Sequence, residues 1–230
     1  IAHAQSLPGS LGSLLPSAEH PKDLAASLKL LLGFSVLSLA PALLIMLTSF
    51  TRIIIILSFL RSAMGTQQTP PNAILVGLAL FLTFFIMAPV WQKMEAQAVK
   101  PYLAGTMPYD QAAARAAVPL RAFLLKQTRE KDLGLFLALS KSPRPHGPDE
   151  IPFRVVVPAF VISELRTAFQ IGFVLFIPFV VLDLIVSSVL MSLGMMMLPP
   201  VMVSLPLKIM LFVMVDGWHL ITRSIVMSFN

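Results

Sequence analysis

NAILVGLALFLTFFIMAPVW, residues 72–91, carries no charged side chain and is as long as the ~20 apolar residues a helix needs to cross a bilayer core. It reads as a membrane-class helix, with Trp91 at the end where an interfacial aromatic is expected. The preceding stretch, GTQQTPPN at residues 65–72, is a turn by composition, and Asn72 is expected to cap the helix. Further upstream, residues 30–50 are uncharged, and after Arg52 the apolar run resumes through residues 53–60 to Arg61. That is a long helix or a bent pair, with a kink expected at Pro41. Residues 25–91 therefore read as a first helical hairpin.

Composition extends this reading to the whole chain. Of 230 residues, 57% are hydrophobic and 12% charged, with a mean hydropathy of +0.84. Soluble domains carry about 25% charged residues, so a cytosolic catalyst is excluded before any motif is considered. The absence of cysteine removes disulfides, thiolate metal sites and thiol nucleophiles. A net charge of +6 raises nucleic acid as a partner, but the basic residues are scattered without aromatic interleaving. Membrane lipid with anionic headgroups suits them better, and no nucleic-acid role is expected.

Residues 1–24 read as a flexible lead-in rich in Ser, Gly and Pro. Ala2-x-Ala4 has the small-residue spacing of a signal-peptidase site, so the start is expected to be a secretory signal remnant; an arbitrary boundary is the alternative. Residues 92–154 collect ten of the seventeen basic and six of the eleven acidic residues, together with seven prolines. They form a polar, water-facing insert. Leu120, Phe123 and Leu124, then Leu133, Phe136 and Leu137, recur at helical spacing, giving two short amphipathic helices. Their apolar stripes either pack on each other or let Phe123 and Phe136 contact a neighbouring subunit. The insert's Lys and Arg content favours the cytoplasm, but that bias fades in loops of about 60 residues, so the signal remnant places it in the periplasm. Residues 155–230 read as a second hairpin of two long helices, broken at Pro199-Pro200. The fold class is all-α, with long kinked apolar helices in hairpins and a small helical insert.

Chemistry is sparse. The four histidines are dispersed, and no metal-ligand spacing, phosphate-cradling loop or nucleophile elbow is present, so no metal, cofactor or catalytic residue is expected. The informative groups are ionisable residues in apolar sequence: Glu164, Arg166, Asp183 and Lys208. A charge at the bilayer centre costs roughly 2.5–3.5 kcal/mol on insertion scales, so each needs a partner or water. Lys208 with Asp183 across the hairpin, and Glu164 with a basic group of a neighbour, are the candidate pairs; a proton relay is the functional alternative. Seven methionines fall within residues 191–214, three of them consecutive at Met195, Met196 and Met197. On residue type alone they are lipid-facing filler, or a deformable seal around passing chains.

Longer motifs are more specific. PAFVISELRTAFQIGF (158–173), IPFVVLDLIVSSVLMSLGMMMLPPVMVSLPLKIMLFVMVDGWHL (177–220), TSFTRIIIILSFLRSAMGTQQTPPN (48–72) and PLRAFLLKQTREKDLGLF (119–136) together resemble the FliP family, the flagellar branch of the type III secretion export-gate proteins. The likeness covers nearly everything after residue 30, with small departures such as Ser62 and Met64. It implies a non-enzymatic, membrane-associated pentameric ring of such chains, joined by FliQ-like and FliR-like subunits and by FlhB-like and FlhA-like export components. Unfolded export substrates would pass through it at the bacterial inner membrane, in the flagellar basal body. It also implies hairpins packed in a cone largely above the bilayer, and a methionine-rich loop, here Met195, Met196 and Met197, acting as a gasket. The rival class is a small-solute or proton-coupled transporter using Asp183 and Glu164, which an inverted internal repeat would favour. The two apolar halves share no such repeat.

Overall fold

In the computed structural model all regular secondary structure among the described residues, which are 28–35, 38, 42, 45–66, 68–140, 147, 150–195 and 197–229, is helical, joined by turns. The expected lead-in, signal remnant and Pro41 kink lie outside them. The chain divides into two compact units, residues 1–44 and 45–230. In the first, residues 28–35 are helical and expose Leu30, Leu31, Leu32 and Phe34. The second contains α1 (Phe50–Ala63), α2 (Asn72–Met94), a π-helical turn (Glu95–Val99), α3 (Lys100–Leu103), α4 (Tyr109–Gln127), α5 (Glu130–Leu139), α6 (Phe153–Ser192), α7 (Pro200–Met214) and α8 (Gly217–Met227).

The centre of this unit is α1. Ile53, Ile56, Leu57 and Leu60 follow the three-and-four spacing of a helical stripe, and all four are fully buried. Leu75, Ala79 and Leu82 of α2, Ala168 of α6, and Ile221 and Ile225 of α8 close around them. The approach to α6 is close: a Cβ added at Gly172 would lie 2.7 Å from Cγ of Phe59. A second core joins the insert to the start of α6, with Leu124 of α4 against Val155, Val156 and Phe160, and with Leu133 and Phe136 of α5 at its edge.

Helix boundaries depart from the sequence reading at three places. Asn72 does not cap α2; Pro71 holds the cap position, and the Asn72 side-chain oxygen accepts a hydrogen bond from Arg61 instead. The polar stretch after Trp91 stays helical, because no glycine interrupts it before Gly105; α2, the π turn and α3 together form a segment of 32 residues, Asn72–Leu103. The composition boundary at 91/92 thus falls inside a helix. Finally, the arm after Pro199 is two helices bent by 66°, with Asp216 left-handed at the joint (φ 50°). Gly217 follows because a Cβ there would meet the Phe212 ring at 2.2 Å.

Asn72–Leu103 and Phe153–Ser192 are each long and apolar enough to cross a membrane, and the bent pair α7–α8 passes the same test. At 40 residues, α6 is roughly 60 Å long, about twice a hydrocarbon core. Its first half packs on the insert and α1, whereas its second half exposes Phe173, Val174, Ile177, Leu184 and Ile185.

Candidate functional site: buried charges and the methionine turn

Arg52 immediately precedes Ile53, the first residue of the buried stripe of α1, and is only 2% exposed. Its Nε donates to Glu164 Oε2 at 2.9 Å, and Nη2 donates to Glu164 Oε1, making a two-pronged pair with a fully buried carboxylate. Nη1 donates to the Ser228 carbonyl at 2.6 Å and to Ser228 Oγ at 3.1 Å, and Nη2 also donates to Gln127 Oε1 at 3.0 Å. All five guanidinium N–H groups are therefore engaged. The Phe229 ring lies 3.8 Å from the guanidinium carbon, and Gln127 Nε2 donates to the Phe229 carbonyl at 2.9 Å. One side chain thus ties α1, α4, α6 and the C-terminal turn together. Glu164 finds its base within its own chain rather than in a neighbour, because residue 52 faces α6.

Beside it, Ser163 Oγ donates to the buried Asp132 Oδ2 at 2.6 Å and accepts the Arg129 backbone N–H at 3.0 Å. This fixes the start of α5 against α6.

Lys208, 4% exposed, donates to Asp183 Oδ2 at 2.6 Å and to the Ala63 carbonyl at 3.2 Å. Its ammonium thereby joins α7, α6 and the C-terminal end of α1, where unpaired carbonyls favour a cation. Asp183 Oδ1 is buried with no hydrogen-bond partner among the described residues. Arg166 is exposed on α6 and makes no ion pair among the described residues. No group of His, Cys, Asp and Glu able to hold a metal occurs among the described residues.

The α6–α7 turn is closed by backbone geometry. Gly194 takes φ +75°, its N–H reaches the Met191 carbonyl at 3.1 Å, and the Met195 N–H reaches the Leu190 carbonyl at 3.0 Å. That pairing is a Schellman cap, and Pro200 then opens α7 at its first position. Met195 is 44% exposed and Met197 is 99% exposed, while Met196 lies outside the described residues. Phe123 and Phe136 are half-buried in this chain's own cores; Phe123 sits between Phe160 (ring centroids 5.9 Å apart) and Phe229 (6.4 Å). The two insert stripes pack on α6 and the C-terminal turn within one chain.

Sequence reasoning overlooked Arg52 as a site residue, along with Gln127 and Ser228. The signal for Arg52 was present: an arginine between two apolar runs needs a buried carboxylate, and Glu164 is another charge in an apolar run. Gln127 and Ser228 have no such signature, since polar side chains near helix ends are common.

Comparison with known proteins adds an independent line. The FliP family profile matches residues 33–225. The flagellar biosynthetic protein FliP of Bacillus subtilis (strain 168) is 53% identical over 213 residues, 93% of this chain and 96% of that protein. Its counterpart in Pectobacterium carotovorum subsp. carotovorum is 52% identical over 223 residues, 97% of this chain and 86% of that protein. That of Aquifex aeolicus (strain VF5) is 47% identical over 210 residues, with 90% and 88% covered.

Proposed function

The chain belongs to the FliP family, and from that premise we propose that it is a membrane subunit of the flagellar type III protein export gate, a conduit for unfolded export substrates. It works without catalysis, in the bacterial inner membrane at the flagellar basal body. Copies of the chain form a ring of five, completed by FliQ-like and FliR-like subunits and met by FlhB-like and FlhA-like components. The insert, residues 92–154, lies on the periplasmic side, where the free edges of Phe123 and Phe136 meet neighbouring copies. Residues 1–24 act as a lead-in, and 25–91 and 155–230 as the two hairpins.

The observation that carries this reading is the α6–α7 turn. Met195 and Met197 are exposed beside the helix cap, at the tip of a hairpin whose apolar flanks are uncovered in the single chain. In a closed ring, Met195, Met196 and Met197 form the narrowest constriction, where unbranched polarizable side chains seal against ions yet deform around a passing polypeptide. The transporter alternative loses its proton carriers, because Glu164 is committed to Arg52 and Asp183 to Lys208.

Replacing all three methionines with alanine tests the seal. The triple variant is expected to assemble to full size while passing small ions faster than the parent complex in reconstituted vesicles. A fully assembled variant with an unchanged leak removes the gasket role.

A further inference from the structure

A cavity of about 650 Å³ opens between α2, α4 and the C-terminal turn; its inner wall includes Gln127 and Phe229, whose other sides meet Arg52. Phe85, Pro89 and Lys93 of α2, and Gln97 beyond its end, line it at a spacing of four and so share one stripe of the continuous helical segment. On α4, Val118, Ala122 and Lys126 repeat the same spacing. Gln97 belongs to the π-helical turn, and prolines 89 and 119, both on the walls, each delete one backbone hydrogen bond from their helix. The space is thus built into two helices that would otherwise close on each other.

Its chemistry is asymmetric. Most of the lining is apolar; among the described residues Lys93 and Lys126 are its only charged members and no carboxylate lines it. Both lysines are exposed, and neither has an ion-pair or hydrogen-bond partner among the described residues. Beyond the cavity the stripe continues to Phe81, 76% exposed, with Phe84 beside it, on a segment long and apolar enough to cross a membrane. Two unpaired ammonium groups on an apolar recess that runs out onto an apolar helix face call for a ligand with one anionic end and one long hydrocarbon end.

We propose that this cavity is a binding site for an anionic phospholipid, its phosphate held between Lys93 and Lys126. One acyl chain begins in the recess against Pro89 and Phe85 and continues along Phe81. A volume of this size takes a headgroup and the start of a chain. The hydrocarbon then covers aromatic surface that the single chain leaves bare. A zwitterionic lipid fits the same recess but brings its own cation to two lysines, so the site selects by headgroup charge.

The test is native mass spectrometry of the detergent-purified full chain, titrated with dioleoyl-phosphatidylglycerol and separately with dioleoyl-phosphatidylcholine. Phosphatidylglycerol is expected to bind more tightly. Lys93→Gln with Lys126→Gln should weaken it by about fivefold per lysine, the usual contribution of a basic side chain at an anionic headgroup, and leave phosphatidylcholine unchanged. Ala122→Trp, on the exposed face of α4, fills the recess without touching a core and should weaken both lipids. Soluble glycerol phosphate at matched concentration should not displace the lipid. The proposal is overturned if the two lipids bind alike and neither variant matters. It is equally overturned if glycerol phosphate competes fully, or if the lysine variant changes the number of chains per complex while phosphatidylglycerol binding stays intact, since the recess then seats a second copy.

Discussion

Arg52 and Glu164 sit where a lone charge is least tolerated, and each is tolerable only because of the other. Removing one partner of such a buried pair typically costs about 3–5 kcal/mol, whereas removing both with apolar replacements recovers much of the loss. Thermal unfolding in detergent should therefore show Arg52→Met and Glu164→Leu each lowering stability by an amount in that range. Their double variant should be less damaged than the sum by about 1–3 kcal/mol. Recovery stays partial, because Arg52 also holds Ser228 and Gln127. Additive losses would mean that the two groups do not interact in solution.

A second cycle, Lys208→Met with Asp183→Leu, addresses the α6–α7 tie. Here a smaller coupling is expected, since the Asp183 side chain is 35% exposed and partly screened. Asp183 was nameable as the partner of Lys208 from sequence because the two lie on adjacent arms of one hairpin. Arg52 and Glu164 are 112 positions apart on different hairpins, and no local pattern joins them.

At the scale of elements, apolar runs identified the helices, while their ends were set by residues whose effect depends on tertiary surroundings. Pro71 displaced Asn72 as cap, and the bend at Asp216–Gly217 is dictated by the Phe212 ring, which no periodicity reveals. Gly172 is comparable: in sequence it is one glycine in an apolar helix, yet α1 and α6 touch there. Gly172→Ala should lower stability by about 1–3 kcal/mol, the range for overpacking a close contact. Gly134→Ala in α5, where an added Cβ meets nothing within 4 Å, should raise it by about 0.5–1 kcal/mol through helix propensity. Equal effects at both positions in a melting experiment would remove the close contact as the cause.

The insert stripes make a related demand. Because Phe123 packs between Phe160 and Phe229, Phe123→Ala is expected to cost about 3 kcal/mol in the isolated chain. Phe123→Leu keeps most of the core volume but removes the ring's edge, so native gels should show weakened assembly at nearly unchanged stability. Full-sized complexes of that variant would make the ring internal core only and place the intersubunit contact elsewhere.

For the whole molecule, the decisive property is what the single chain leaves uncovered. The second half of α6 and much of α7 expose large apolar side chains, including Phe173, Leu184, Met202 and Val213, far more than a water-facing surface carries. Composition disclosed that this surface would exist, because 57% hydrophobic residues cannot all be buried by 230. What covers it was not legible in composition or periodicity, since lipid and a neighbouring helix present the same apolar chemistry; only the long motifs pointed to sister subunits. Mass measurement of the intact complex, from the chain co-expressed with FliQ-like and FliR-like subunits and extracted in mild detergent, tests this most directly. Five copies of the chain in one closed particle with both partners is the expected result; a chain that emerges as a lipid-solvated monomer, free of the co-expressed subunits, would contradict the account.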